Sequence, residues 1–292
     1  MVSGHVKYSP LIFGDAFYCA SVTVRQFLLS RIVTKRFNRV LSICFAFRSR
    51  GFFVIPMEWR KVLKINGIKT YPIIDTLAWK GFVFSYFVLG LYTIVKVGFQ
   101  KNSRMTSTNS RSIYFVGATG NNLSRGTPDN PKYNLSEWYK SFYSEACSEA
   151  MLFPVFDENP TRINFSGTKR LSMDGHMPAI EGWSGKLKFF LWASKTGAFC
   201  FYEFCRGNWW HPLLLQQAVL AKQIKMSDET TLFDEYWFSN SAYLFRPLWT
   251  YAVELKNKKV NLYFYSTNIE GYTYRNKACP SPVGYGPVSY TH

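Results

Sequence analysis

A chain of 292 residues with 47% hydrophobic and 18% aromatic residues, but only 18% charged ones, carries enough apolar material for one large core or two ordinary ones, which excludes extensive disorder. The formal net charge of +17 is uneven: residues 1–111 hold 17 Lys/Arg against 3 Asp/Glu, a net +14, and residues 112–292 hold 18 against 15, a net +3. The basic residues alternate with apolar runs rather than with Gly and Ser, which points to an anionic membrane surface as partner and away from nucleic acid.

In chain order, the N-terminus lacks a basic region followed by a clean apolar run, so no secretory signal is expected. Residues 16–57 contain no acidic residue. Within them Arg25, Arg31, Lys35, Arg36 and Arg39 share one side of a helical pattern, with Leu29, Val33, Phe37, Val40 and Leu41 on the other. Residues 1–50 therefore read as a basic amphipathic segment, either lying on a membrane or packed on a core with a solvated face. Next, "FFVIPMEWRKVLKINGIKTYPII" predicts a strand over Phe52–Ile55, a helix over Met57–Ile65, a stop at Gly67 and a second strand over Thr70–Ile74. Residues 79–98 form an apolar helix whose uncharged stretch, 81–95, is bracketed by Lys80 and Lys96. Such a stretch covers about 22 Å, short of the ~30 Å hydrocarbon core. An in-plane or re-entrant membrane helix explains most of its features; a true span and a buried core helix are the alternatives.

Lys101–Ser112 reads as a polar linker, "IYFVGATGNNL" as a buried strand entering a polar loop, and "LSEWYKSFYSEACSEAM" as a helix capped by Ser136. Residues 125–185 read as an insertion. "LKFFLWAS" fits a strand or a helix start, and "NWWHPLLLQQAVLAKQIK" is helical with Pro212 in its first turn. "EYWFSNS", "YLFRPLWTYAVELKNKK" and "VNLYFYSTN" predict strand, helix, strand. Repeated β-α-β units argue for an α/β fold with a Rossmann-like, doubly wound parallel sheet, drawn as a domain over 51–286.

Chemistry-bearing patterns are sparse. In "GATGNN" the position of a third dinucleotide-loop glycine is Leu123, and no helix opens at once, which argues against that reading. What remains is a loop at a strand's carboxyl end, where Asn121 and Asn122 would meet a hydroxyl-rich ligand, or else form a plain turn. Ser239, Asn240 and Arg246 stand between a strand and a helix, and Ser266, Thr267 and Asn268 follow the next strand. Two neighbouring strand ends so furnished make one crevice for an anion or a sugar, unless the residues serve only as caps and turns. The histidines at 5, 176, 211 and 292 lack triad or metal spacing, and His211 reads as a capping or packed residue. Asp234 and Glu235 precede a strand without an identifiable partner. The six cysteines at 19, 44, 147, 200, 205 and 279 include no CxxC pair, so reduced thiols and no metal are expected.

"FVIPMEWRKVLKINGIKT", "YFVGATGNNL…YNLSEWY" and above all "EYWFSNSAYLFRPLWTYAVELKNKKVNLYFYSTNIEGY" together resemble bacterial surface-polysaccharide biosynthesis proteins. The nearest type is named for a Pro-Phe-Thr-Ser motif, and its members look like glycosyltransferases of the two-Rossmann GT-B architecture. The resemblance spans roughly 52–275, although no Pro-Phe-Thr-Ser sequence occurs in the chain. It implies the N-terminal, acceptor-side domain of such an enzyme, carrying an apolar membrane-proximal helix. The expected acceptor is a lipid-linked or polymeric glycan, and the expected place is the cytoplasmic face of the inner membrane, peripheral or monotopic. A nucleotide-sugar donor is expected for the full-length protein, with no cofactor bound by this part, and no catalytic residue transfers. A non-catalytic, membrane-associated interaction module of a polysaccharide assembly system is the alternative. Pro287–His292 reverse-translates to a transposon mosaic-end adapter, so a non-native tail over 287–292 and a C-terminally truncated fragment are the expectation.

Overall fold

The computed structural model describes residues 54, 57, 59–101, 113–116, 151–154, 168–171, 177–239, 247–263, 272–274 and 277–279. The amphipathic segment expected over 1–50, the strand expected over 52–55 apart from Val54, the polar loop and helix expected within 117–150 and the tail expected over 287–292 lie outside them, as does the 101–112 linker apart from Lys101. The described residues fall into two compact units. One holds residues up to 101, 177–228 and 247–252; the other holds the strands, 229–239 and 253–263.

The first unit is helical. Helix α1 (Trp59–Ile65) ends as expected at Gly67, whose φ of 71° lies in the left-handed region that favours glycine. The N–H of Ile68 bonds to the carbonyl of Leu63 and that of Gly67 to Lys64, both at 3.0 Å, which closes a Schellman end. The expected second strand is not formed: Thr70 and Tyr71 belong to no strand, and Pro72 opens helix α2 (Pro72–Phe99). The Pro72 ring presets a helical φ where no N–H is needed. The Asp75 carboxylate reaches back to accept the Tyr71 N–H at 3.2 Å, and its charge suits the helix's positive end. Arg60 of α1 donates to the Pro72 carbonyl and to Thr76 Oγ1, both at 3.0 Å.

"LKFFLWAS" belongs to a helix, α3 (Gly182–Cys205), and α4 (Trp210–Met226) follows with Pro212 in its first turn. Helices α2 and α3 run antiparallel, with Phe99 against Phe190 at one end and Phe84 against Phe204 at the other. Helix α4 runs parallel to α2, from the edge-to-face Trp79–Trp209 pair to the Gln223–Gln100 hydrogen bond. Their core combines Phe87, Ile94 and Val97 of α2 with Phe189, Ala193 and Cys200 of α3 and Leu215, Ala218 and Val219 of α4. Gly90 permits the α2–α4 approach, because a Cβ there would lie 2.6 Å from Leu215 Cγ. The fully buried Gln223 amide donates to Gln100 Oε1 (2.8 Å) and the Pro178 carbonyl (2.7 Å), binding the bundle to the segment before α3.

The second unit is a five-stranded sheet of β1 (Ile113–Val116), β2 (Met151–Pro154), β3 (Thr168–Leu171), β4 (Glu235–Ser239) and β5 (Lys259–Tyr263). Its order is β3-β2-β1-β4-β5, and all four pairings are parallel. Strands β1, β4 and β5 stand where the sequence places them, and α5 (Leu248–Glu254) lies between the last two in the chain. Strands β2 and β3 are the difference, since both fall within 125–185, the stretch read as an insertion. "MLFP" is a short apolar run between polar segments, which periodicity alone cannot assign. The rings of Tyr114, Phe233 and Tyr236 meet at tilted and edge-to-face angles at the sheet's core, with centroids 5.0–6.1 Å apart. Further along, β6 (Tyr272–Tyr274) pairs antiparallel with β7 (Lys277–Cys279).

Replacing Gly90 by Ala forces its Cβ against the buried Leu215 side chain. Overpacking of this kind costs about 1–3 kcal/mol, against at most ~1 kcal/mol gained in helix propensity. We expect a lower urea midpoint for Gly90→Ala, and a smaller-than-additive loss when Leu215→Ala is added.

Candidate functional site

Parallel pairing places all five carboxyl ends on one edge of the sheet. The ends of β1 and β4 are adjacent, with Val116 opposite Phe238, and those of β4 and β5 are adjacent, with Ser239 opposite Tyr263. From β1 the chain moves outward through β2 and β3 on one side, then returns to β4 and β5 on the other. The boundary between β1 and β4 is thus a switch point, the place where open parallel sheets collect ligands.

Of the residues picked out in the sequence, Ser239 is described, as the last residue of β4. Asn121, Asn122, Asn240, Arg246, Ser266, Thr267 and Asn268 lie outside the described residues. The sheet does bring together the three strands that precede them. The sequence paired the ends of β4 and β5 and left the "GATGNN" strand separate, whereas β1 is the direct neighbour of β4.

At the amino end of β4 the two acids without an expected partner are both engaged. Glu235 is buried and its Oε2 accepts from Trp237 Nε1 at 2.8 Å and Asn261 Nδ2 at 3.4 Å. Asp234 pairs with Lys258 at 2.9 Å and accepts the Lys259 N–H on its backbone carbonyl at 2.9 Å. The ion pair is partly exposed and contributes about 0–1 kcal/mol at most; its use is to hold the start of β5 beside β4. Burial pushes the Tyr236 phenol well above its ordinary range, so this hydroxyl stays neutral and accepts the Phe233 N–H at 3.3 Å. Among the described residues, no three His, Cys, Asp or Glu side chains cluster in a way that would hold a metal.

In the helical unit His211 is packed, as its sequence context suggests, but it has a partner that spacing did not reveal. The ring is buried edge-on to Phe199 at 5.1 Å, and Nδ1 lies 3.5 Å from Oε2 of the equally buried Glu203. Glu203 also accepts from Asn208 Nδ2 at 2.8 Å, so one carboxylate ties the end of α3 to the turn and the start of α4. The available signal was an acid isolated within the apolar run "FCFYEFC", eight positions before the histidine. One turn earlier, Cys200 is buried, and burial first, then the Glu203 charge, push its thiol above the ordinary range. The thiolate is the reactive form, so Cys200 is inert at neutral pH.

Two outcomes test this arrangement. Glu203→Ala removes the acceptor of the Asn208 amide and the carboxylate beside His211, and should lower unfolding free energy by about 1–3 kcal/mol, measured by denaturant titration. Because a raised thiol pKa leaves less thiolate at pH 8 than in an ordinary cysteine, peptide mapping after brief maleimide treatment should find the exposed Cys205 modified. Cys200 should be modified only as the bundle unfolds.

Residues 186–288, roughly a third of the chain, match a family described as polysaccharide biosynthesis PFTS motif protein. The match takes in most of α3, all of α4, and β4, α5 and β5. Neither a curated protein nor a solved structure matches the chain. Over its matched third the chain is similar to that family, and the similarity indicates a role in polysaccharide biosynthesis.

Proposed function

We propose that this chain is the acceptor-side part of a GT-B-like glycosyltransferase in the biosynthesis of a bacterial surface polysaccharide, working at the cytoplasmic face of the inner membrane. The observation that carries the reading is the family match over 186–288, which includes β4 and β5 and the residues that follow each. The parallel order β3-β2-β1-β4-β5, reversing between β1 and β4, favours a Rossmann-like, doubly wound sheet as the scaffold.

On this reading Ser239 at the end of β4 with Asn240 and Arg246 after it, Ser266, Thr267 and Asn268 after β5, and Asn121 and Asn122 after β1 bind a lipid-linked or polymeric glycan. Short hydroxyl and amide side chains suit a ligand that presents many hydroxyls, and an arginine fork suits an anionic substituent or a phosphate. In the transfer, an acceptor hydroxyl oxygen bonds to the donor's anomeric carbon. The bond from that carbon to the nucleotide phosphate breaks, its electron pair leaves with the phosphate, and the hydroxyl proton passes to a base. The residues after β1, β4 and β5 orient the acceptor for this step.

Ser239→Ala and Arg246→Ala should each weaken binding of a surface-polysaccharide oligosaccharide about tenfold, near 1.4 kcal/mol, without changing the melting temperature. Saturation-transfer NMR and transfer of labelled sugar from a nucleotide donor read the two halves of the proposal. Failure of the protein to bind any surface glycan would overturn it.

A further inference from the structure

Helix α2 carries two apolar faces. One, through Trp79, Val83, Phe87, Ile94 and Val97, is buried in the bundle. The other recurs at seven- and four-residue steps through Leu77, Phe84, Val88, Val95 and Phe99, and is exposed, Leu77 at 65% and Phe99 at 74%. A soluble helix ordinarily has one such stripe with polar residues opposite it. Helix α3 extends the second face: Trp183, Leu187 and Leu191 stand one turn apart and are exposed at 89%, 63% and 57%. The two stripes meet along the α2–α3 seam, where the half-exposed Phe84 and Phe201 touch Phe204 and Phe87 across the helices.

The charges around this face are mostly of one sign, the exposed Glu181 at the N-cap of α3 being the exception. Lys61 and Lys64 of α1, Lys80 and Lys96 of α2, and Lys188 and Lys195 of α3 are exposed, whereas the acids of these helices, Asp75 and Glu203, are buried. An apolar strip between exposed lysines complements one environment: acyl chains beneath anionic headgroups.

We infer that the outer face of α2 and α3 lies flat in the interface of an anionic bilayer, entering from one side without crossing it. By length and composition α2 would suffice to span, but its other face is committed to α3 and α4. Its uncharged stretch, 81–95, covers only about 22 Å against the ~30 Å core. Helix α3 cannot accompany it across, with Lys186, Lys188 and Lys195 along its length. Trp183, the most exposed aromatic at the start of α3, sits at headgroup depth, where indoles are favoured. The inference rests on the membrane location proposed above and gives it a surface and an orientation.

The experiment is flotation of the full chain with phosphatidylcholine vesicles, with and without phosphatidylglycerol. The expected result is binding that requires the anionic lipid, falls with salt, and drops at least tenfold in Val88→Glu/Leu187→Glu. Both positions are exposed, so circular dichroism should be unchanged. A variant with Lys80, Lys96 and Lys188 replaced by Gln should lose the preference for anionic lipid. Bromine-labelled lipids should quench tryptophan fluorescence less in Trp183→Phe. Three results would overturn the inference: no flotation; a soluble dimer, dissociated by the double glutamate variant, that ignores vesicles; or retention through an alkaline carbonate wash with protease access from both sides. Flotation without glycan binding would defeat only the transferase reading, and glycan transfer without flotation only this one.

Discussion

The helical unit depends on the close parallel contact of α2 with α4 at Gly90. Leu215 occupies the space that a side chain at position 90 would need; on one side Trp79 and Val83 cluster with Trp209 and Leu213, and on the other Val97 joins the core that holds Val219. Close packing of this kind gains dispersion energy along the whole contact and excludes water from it. It also determines which side of an all-round apolar helix is buried. Once α4 and α3 occupy one face of α2, the opposite face has no partner among the described residues. The exposed apolar strip is thus a consequence of the same contact that makes the core.

Polar groups inside the bundle sit where chain segments must be joined. Gln223 bonds to Gln100 and to the Pro178 carbonyl, and Glu203 serves Asn208 and His211 at the opposite end of α4. Each would be costly to bury alone. Held in mutual contact, they set the register of α4 against α2 and α3, which apolar contacts allow to slide. The elevated thiol pKa of Cys200 follows from the same enclosure.

In the sheet unit, parallel pairing converts distant sequence positions into neighbours. Residues 113–116, 235–239 and 259–263 are far apart in the chain, yet β1, β4 and β5 end side by side. The amino edge is closed by the Asp234–Lys258 and Glu235–Asn261 contacts, which leaves the carboxyl edge as the one whose following segments are rich in Ser, Thr and Asn. The acceptor site proposed above uses the carboxyl edge, opposite the edge that these contacts close.

Strong local patterns were legible in the residues alone. The stop at Gly67, Pro212 in the first turn of α4, and the runs that became β1, β4 and β5 follow from local backbone preferences and short-range apolar patterning. Those forces act within a few residues and need no partner. Competition between local signals misled at Thr70–Ile74, where a β-like run lost to Pro72 and Asp75 opening a helix. Four-residue runs such as "MLFP" carry too little pattern, and only pairing with a neighbouring strand makes them strands. The partner of His211, the face of α2 that is buried, and the adjacency of β1 to β4 were decided by tertiary structure. Each is a contact between residues remote in sequence, and no local preference encodes which of several equally apolar or equally polar neighbours will be chosen.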